Sequence, residues 1–245
     1  MQLTDMTWPA VDALDRDTPV VLPVAALEQH GHHLPLFTDS MLLGEVVHRA
    51  SKPLADRVLF APLFWLGSSC HHLDFPGSLS AGPRNYLDLL NNLIDNWIMH
   101  GFRRIVFLNG HGGNIVPGRQ VLFEARQRYR HRDDLLLLFA AYWNVGKNAR
   151  KLPEMFKQSQ MGHACEWETS MILRLHPHLV GSIEKLEDVA ADFAFDPVYQ
   201  GWITKDRTVL GHIGAPRHAT AEKGEWLFSS FADEVVSFLQ QLADS

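Results

Sequence analysis

Residues Pro19–Ser40 read PVVLPVAALEQHGHHLPLFTDS. The first half is an apolar run rich in Val and Leu. The second half crowds Glu28, His30, His32, His33 and Asp39 into twelve positions. A short, unbroken apolar run reads as a strand covered on both faces, as in a parallel sheet. The polar cluster then falls just past the strand's carboxyl end. Three more runs have the same character: Arg57–Trp65, Arg103–Gly110 and Asp134–Trp143. Between them lie helical patterns over Ser40–Ser51, Asn85–Gly101, Gly118–Arg132 and Glu166–Pro177, and the chain closes with Ala221–Asp244. Strands alternating with helices predict an α/β fold, a mostly parallel sheet layered between helices. No repeat or linker divides the chain, so residues 1–245 are expected to form one domain.

Composition narrows the function classes. The chain has 245 residues, is 46% hydrophobic and carries a formal charge of −6. Its Lys and Arg are scattered, which argues against nucleic acid or a membrane surface as partner. No apolar run approaches the roughly 18 residues of a membrane span, and the acidic start MQLTDMTWPAVDALDRD is no signal peptide. Cys70 and Cys165 make no paired framework. A reduced, cytoplasmic protein is expected. The unusual figure is 14 His, many beside Gly, Asp or another His.

Two polar clusters some 80 residues apart are expected to meet at one sheet edge. Glu28, His30 and Asp39 follow the first strand, and His111 follows another within NGHGGN. Open α/β sheets bind ligands at the carboxyl ends of their strands. Neutral imidazole and carboxylate together suit Zn, Mn or Fe, and an aspartate can bridge two ions with its two oxygens. Asp39 could instead only cap the helix that follows it. In NGHGGN, Gly112 and Gly113 let the backbone approach a ligand closely. The segment is neither GxGxxG nor a P-loop, and His111 at its centre favours metal over phosphate. A third cluster, GHACEWETS (Gly162–Ser170), places His163 at a helix start and Glu166 and Glu168 in its first turns. The helix dipole favours carboxylates there in any case.

The segments PVAALEQHGHHLPLFTDS, CHHLDFPGSLS, NGHGGN, HACEWETS and GHIGAPRHATAEKGEWLF occur in this order. Together they resemble the creatininase family, over roughly Val20 to Phe228. The resemblance implies a three-layer αβα sandwich, a binuclear metal centre, hydrolysis of a C–N bond in a small cyclic amide or related substrate, and a homo-oligomer, often a hexamer. It implies Glu28, His30, Asp39 and His111 as ligands of two divalent ions, with zinc first and manganese or iron as alternatives. Asp39 matches the bridging carboxylate, Glu28 and His111 the ligands of one ion, and His30 a ligand of the other. His163 matches a proton-carrying active-site histidine. Trp143 falls near an aromatic that packs on substrate, and His72 of CHHLDFPGSLS is read as facing the pocket.

The chain departs from creatininase proper at Gly113, where that enzyme carries a glutamate ligand. Glu168 is the first candidate to replace it, as ligand and as catalytic carboxylate, with Glu166 second. Creatinine itself becomes doubtful as substrate. The alternatives are a metal-dependent deformylase or peptide-trimming hydrolase in cofactor biosynthesis, and a non-catalytic metal- or ligand-binding relative. The irregular segment Lys185–His218, with Phe193, Phe195, Tyr199 and Trp202, reads as a flap or an oligomer contact. His212 and His218 could serve the site or a subunit contact.

Overall fold

The computed structural model describes residues 1–146, 154–190 and 198–245; Phe193 and Phe195 lie outside these residues. Strands β1 (Val20–Val24), β2 (Leu59–Phe60), β3 (Arg104–Asn109) and β4 (Leu136–Ala141) form one parallel sheet in the order β2-β1-β3-β4. Among the described residues the helices are α1 (Trp8–Asp12), α2 (Thr38–Ser51), α3 (Pro83–Met99), α4 (Ile115–Arg128), α5 (Glu166–Leu175), α6 (Thr204–Arg207) and α7 (Ala221–Asp244). None is long and apolar enough to cross a membrane.

Side chains alternate across each strand and so serve two cores. On β3, Val106 and Leu108 join Leu42, Val46, Met171, Phe228 and Phe231 of α2, α5 and α7 on one face. Ile105 and Phe107 join Tyr86, Leu90, Ile94 and Val121 of α3 and α4 on the other. The result is the expected αβα sandwich. Strands β1, β2 and β3 are apolar at nearly every position because neither face meets water, whereas the edge strand β4 is only partly covered.

Some boundaries differ from the sequence reading. The run Arg57–Trp65 yields only a two-residue strand: Leu59 and Ala61 donate to the Pro19 and Val21 carbonyls, but beyond Pro62 the register slips by one, so that Phe64 rather than Leu63 donates to Pro23. The chain stays alongside β1 nonetheless: Ala25 N–H donates to the Phe64 carbonyl at 2.9 Å. Helix α2 starts at Thr38, so Asp39 lies within its first turn, and the capping position is Phe37. Asp39 is therefore not a cap. Helix α4 begins at Ile115 rather than Gly118, because Pro117 is tolerated in a first turn.

From β1 the chain crosses through α2 to β2 on one side; from β3 it crosses through α4 to β4 on the other. The two helices pack on opposite faces. The carboxyl ends of β1 and β3 thus flank the point where the winding reverses, the place where such sheets open a crevice.

Candidate metal centre

Glu28 and His30 leave the end of β1, Asp39 enters from α2, His111 follows β3, and Glu168 arrives from α5. All five are buried, from 0% exposed for His30 to 6% for Glu168. Asp39 faces two ways. Its Oδ1 lies 3.0 Å from His30 Nε2 and its Oδ2 lies 3.0 Å from His111 Nδ1. Glu28 Oε1 is 3.2 Å from His111 Nδ1, and Glu168 Oε1 is 3.8 Å from His30 Nε2.

Backbone carbonyls aim the rings. His111 donates Nε2–H to the Ser68 carbonyl at 3.1 Å, which turns Nδ1 inward. His30 donates Nδ1–H to the Glu28 carbonyl at 3.1 Å, which turns Nε2 inward. Holding one nitrogen so that the other presents its lone pair is how metal-binding histidines are oriented. Both oxygens of Glu28 and Oδ2 of Asp39 are buried without a hydrogen bond among the described residues. A buried carboxylate oxygen left so is costly. Three of them in one cluster, two of them facing His111 Nδ1, fit a divalent cation. Glu28, His30 and Asp39 bring one donor atom each within 4.8 Å of one another, and so do His30, His163 and Glu168.

The electrostatics agree. Burial opposes ionisation of Asp39 and Glu28, but the neighbouring imidazoles outweigh it and hold both carboxyls below their ordinary range. Burial likewise opposes charging His30, yet the Asp39 carboxylate raises it to about 9. Against the same burial, the carboxylates of Glu28 and Asp39 raise His111 well above its ordinary value. In the ion-free cluster the carboxylates stay anionic and protons on His30 and His111 balance them, the positive charge that a bound cation would replace. Glu168 differs: burial pushes its carboxyl up to about 7. Burial, with the charge of His30, pushes His163 down to about 3.

Gln29, which the sequence reading passed over, organises the next layer. Its Nε2 donates to the Gly211 carbonyl and to His72 Nδ1, both at 2.8 Å. An amide nitrogen can only donate, so His72 carries its proton on Nε2, 3.3 Å from Glu28 Oε1. His163 donates Nε2–H to the Gln29 backbone carbonyl at 2.8 Å, leaving Nδ1 3.6 Å from Glu28 Oε1. His163 is also clamped by Ile213 through paired backbone hydrogen bonds of 2.9 and 2.7 Å. The next residue, Ala164, is buried at φ +47°, a strained conformation of the kind that gathers at functional sites. The position of Gln29 between Glu28 and His30 was the only sequence signal for its role.

A cleft of about 710 Å³ opens above the cluster. His72, Trp143, Gly112 and Gly113 line it, and so do His71 and Trp202. Tyr199 is fully exposed. His212 sits in the loop that clamps His163 and donates Nε2–H to the Glu187 carbonyl at 2.8 Å, so that loop serves the site. Glu166, the second candidate for the missing ligand, lies elsewhere. It accepts Lys223 Nζ at 2.6 Å and the backbone N–H groups of Lys157 and Gln158 at 2.7–3.1 Å. Two residues apart on a helix means about 200° of rotation, so Glu166 and Glu168 face opposite sides.

A buried carboxylate–imidazole cluster at the winding reversal of a parallel sheet, under an open cleft, has the donor set of a metal centre in an α/β enzyme. A family model described as Creatininase: Creatinine amidohydrolase matches residues 4–239. The chain belongs to the creatininase family, whose members hydrolyse C–N amide bonds. It is 28% identical to creatinine amidohydrolase of Pseudomonas putida, over 90% of this chain and 89% of that one. It is 32% identical to the mycofactocin precursor peptide peptidase of Mycolicibacterium smegmatis, over 87% of this chain and 81% of that one. A mutant creatininase complexed with creatine superposes with a TM-score of 0.82 at 26% identity, covering 100% of this chain and 99% of that one. Creatininases described as Zn–Zn and Mn forms superpose at 0.80, with 26% identity and coverage of 98% and 97%.

Proposed function

We propose that Glu28, His30, Asp39, His111 and Glu168 hold two divalent ions, zinc foremost and manganese or iron as alternatives, with Asp39 between them. The protein would use them to hydrolyse the C–N bond of a small cyclic amide or related substrate. One observation carries this reading: Glu28 Oε1 and Asp39 Oδ2, buried and without hydrogen bonds, both face His111 Nδ1, whose ring is tied from its other side to the Ser68 carbonyl. The Zn–Zn and Mn forms of the structural neighbours support the choice of ions.

When bound, such ions supply Lewis acidity and a water whose pKa falls from 15.7 to about 7 in the zinc case. The chain's own residues do the rest. Asp39 offers one oxygen to each side of the cluster. His163 keeps Nδ1 unprotonated at rest and turned toward the cluster, placed to take the proton that the attacking water gives up and pass it to the leaving nitrogen. His72 directs N–H at Glu28, while Trp143, Gly112 and Gly113 form the wall against which substrate lies.

A second reading is the trimming of a peptide. The cleft is open, at about 710 Å³ it has room beyond a single small ring, and one relative is a precursor-peptide peptidase. Turnover of cyclic amides, formamides and short peptides, with and without chelator, separates the two. Metal analysis tests the centre itself: equal, near-stoichiometric metal in wild type and Asp39→Ala would remove Asp39 from between the ions. A cytoplasmic homo-oligomer of single-domain chains belongs to the same reading. The free thiols Cys70 and Cys165 and the exposed Tyr199 support it, and sedimentation equilibrium reads the assembly directly.

A further inference from the structure

We propose that His71 is an additional ligand of the ion held by Glu28, Asp39 and His111, an assignment that rests on the metal-centre reading above. A ring nitrogen of His71 and donor atoms of Glu28 and His111 all lie within 4.8 Å of one another. The ring is held in place from the sides. It lies nearly parallel to His111 with centroids 5.9 Å apart, and it meets the ring of Trp202 at 5.1 Å, close to edge-on. Among the described residues no hydrogen bond to the His71 side chain engages its nitrogens.

Gly113 explains why His71 can stand there. A Cβ at position 113 would collide with the Ser68 carbonyl and His111 Nε2, and it would lie 2.8 Å from His71 Cε1. Position 113 therefore offers no ligand in this chain, and His71, on the short turn Cys70–His72, fills the adjoining space. A second imidazole beside two carboxylates makes a mixed nitrogen–oxygen donor set of the kind zinc accepts.

The test uses the full chain, stripped of metal and titrated with Zn(II), then reloaded with Co(II) for visible and paramagnetic NMR spectroscopy. His71→Ala and His71→Gln are compared with wild type and with His100→Ala, a surface histidine remote from the cluster. Both His71 variants should bind one of the two ions at least about tenfold more weakly. Their Co(II) absorption should change in position and intensity, and His71→Gln should lose one shifted imidazole N–H resonance. His100→Ala should match wild type throughout. Folded His71 variants with wild-type affinities and an unchanged Co(II) spectrum would overturn the assignment. Failure of the wild type itself to bind two ions would instead sink the metal-centre reading.

Discussion

Glu166 and Lys223 meet at 2.6 Å with both side chains buried, on the far side of helix α5 from the carboxylate–imidazole cluster. The same carboxylate holds the backbone N–H groups of Lys157 and Gln158, and Gln158 in turn receives the Glu166 N–H at 3.1 Å. This knot secures the segment that leads into His163.

Removing one partner of a buried pair strands the other charge. Lys223→Met should lower unfolding stability by about 3–5 kcal/mol, and Glu166→Gln added to it should recover part of the loss. Urea denaturation of the two variants decides; a cost for Lys223→Met within the scatter of surface substitutions would mean that Glu166 is satisfied without the lysine.

Ion removal should be felt by the whole molecule. Ions that bind only the folded chain stabilise it by about 2.7 kcal/mol when present at a hundred times their Kd. A chelator should therefore lower Tm, and zinc should restore it. An unchanged Tm in a protein shown to lose metal would argue that the buried carboxylates are content without ions.

At Gly113 even a methyl group should be harmful. Gly113→Ala pushes against Ser68 and His111 and should cost about 1–3 kcal/mol. Gly113→Glu, which puts back the residue type of creatininase proper, should lose bound metal rather than gain a ligand. Metal analysis of that variant, beside a melting curve, shows which happens.

Gln29 aims His72 and His163 at once. Gln29→Leu leaves the Gly211 carbonyl without its donor and removes the amide that aims His72, while the backbone carbonyl that holds His163 stays. Turnover should fall by about 10- to 100-fold, with bound metal retained. Wild-type turnover in a folded variant would show that the backbone alone holds those histidines.

Glu225 supplies a pH signature away from the site. Hydrogen bonds from Arg49, supported by Arg174, hold its carboxyl at about 2 against an ordinary 4.5. A carboxyl depressed on folding contributes stability above its unfolded value and loses it as pH falls through the folded one. The stability gap between wild type and Glu225→Gln should be full above about pH 5 and close between 4.5 and about 2. The gap is expected to be small, because the pair is partly exposed.

Local chemistry carries much of this protein in plain view. Apolar runs at strand length, helices of the right period and the ordered motifs from PVAALEQH to HATAEKGEW point to an αβα sandwich and to the creatininase family, because strand and helix periodicities are written residue by residue. The boundaries moved where proline intervened, at Pro62 and Pro117. The site was legible as a set of residue types but not as an arrangement. Sequence alone left Glu166 and Glu168 as rivals; the helix turned one toward Lys223 and the other toward His30. Sequence pointed to His72 of CHHLDFPGSLS and gave neither His71 nor Gln29 a role; in the fold His71 lines the cleft beside Gly113, and one buried amide ties Gln29 to His72 and Gly211. The reason is physical: residue type and spacing set what a side chain can do, whereas its direction is set by contacts with segments 40 to 180 residues away, and those exist only once the chain has folded.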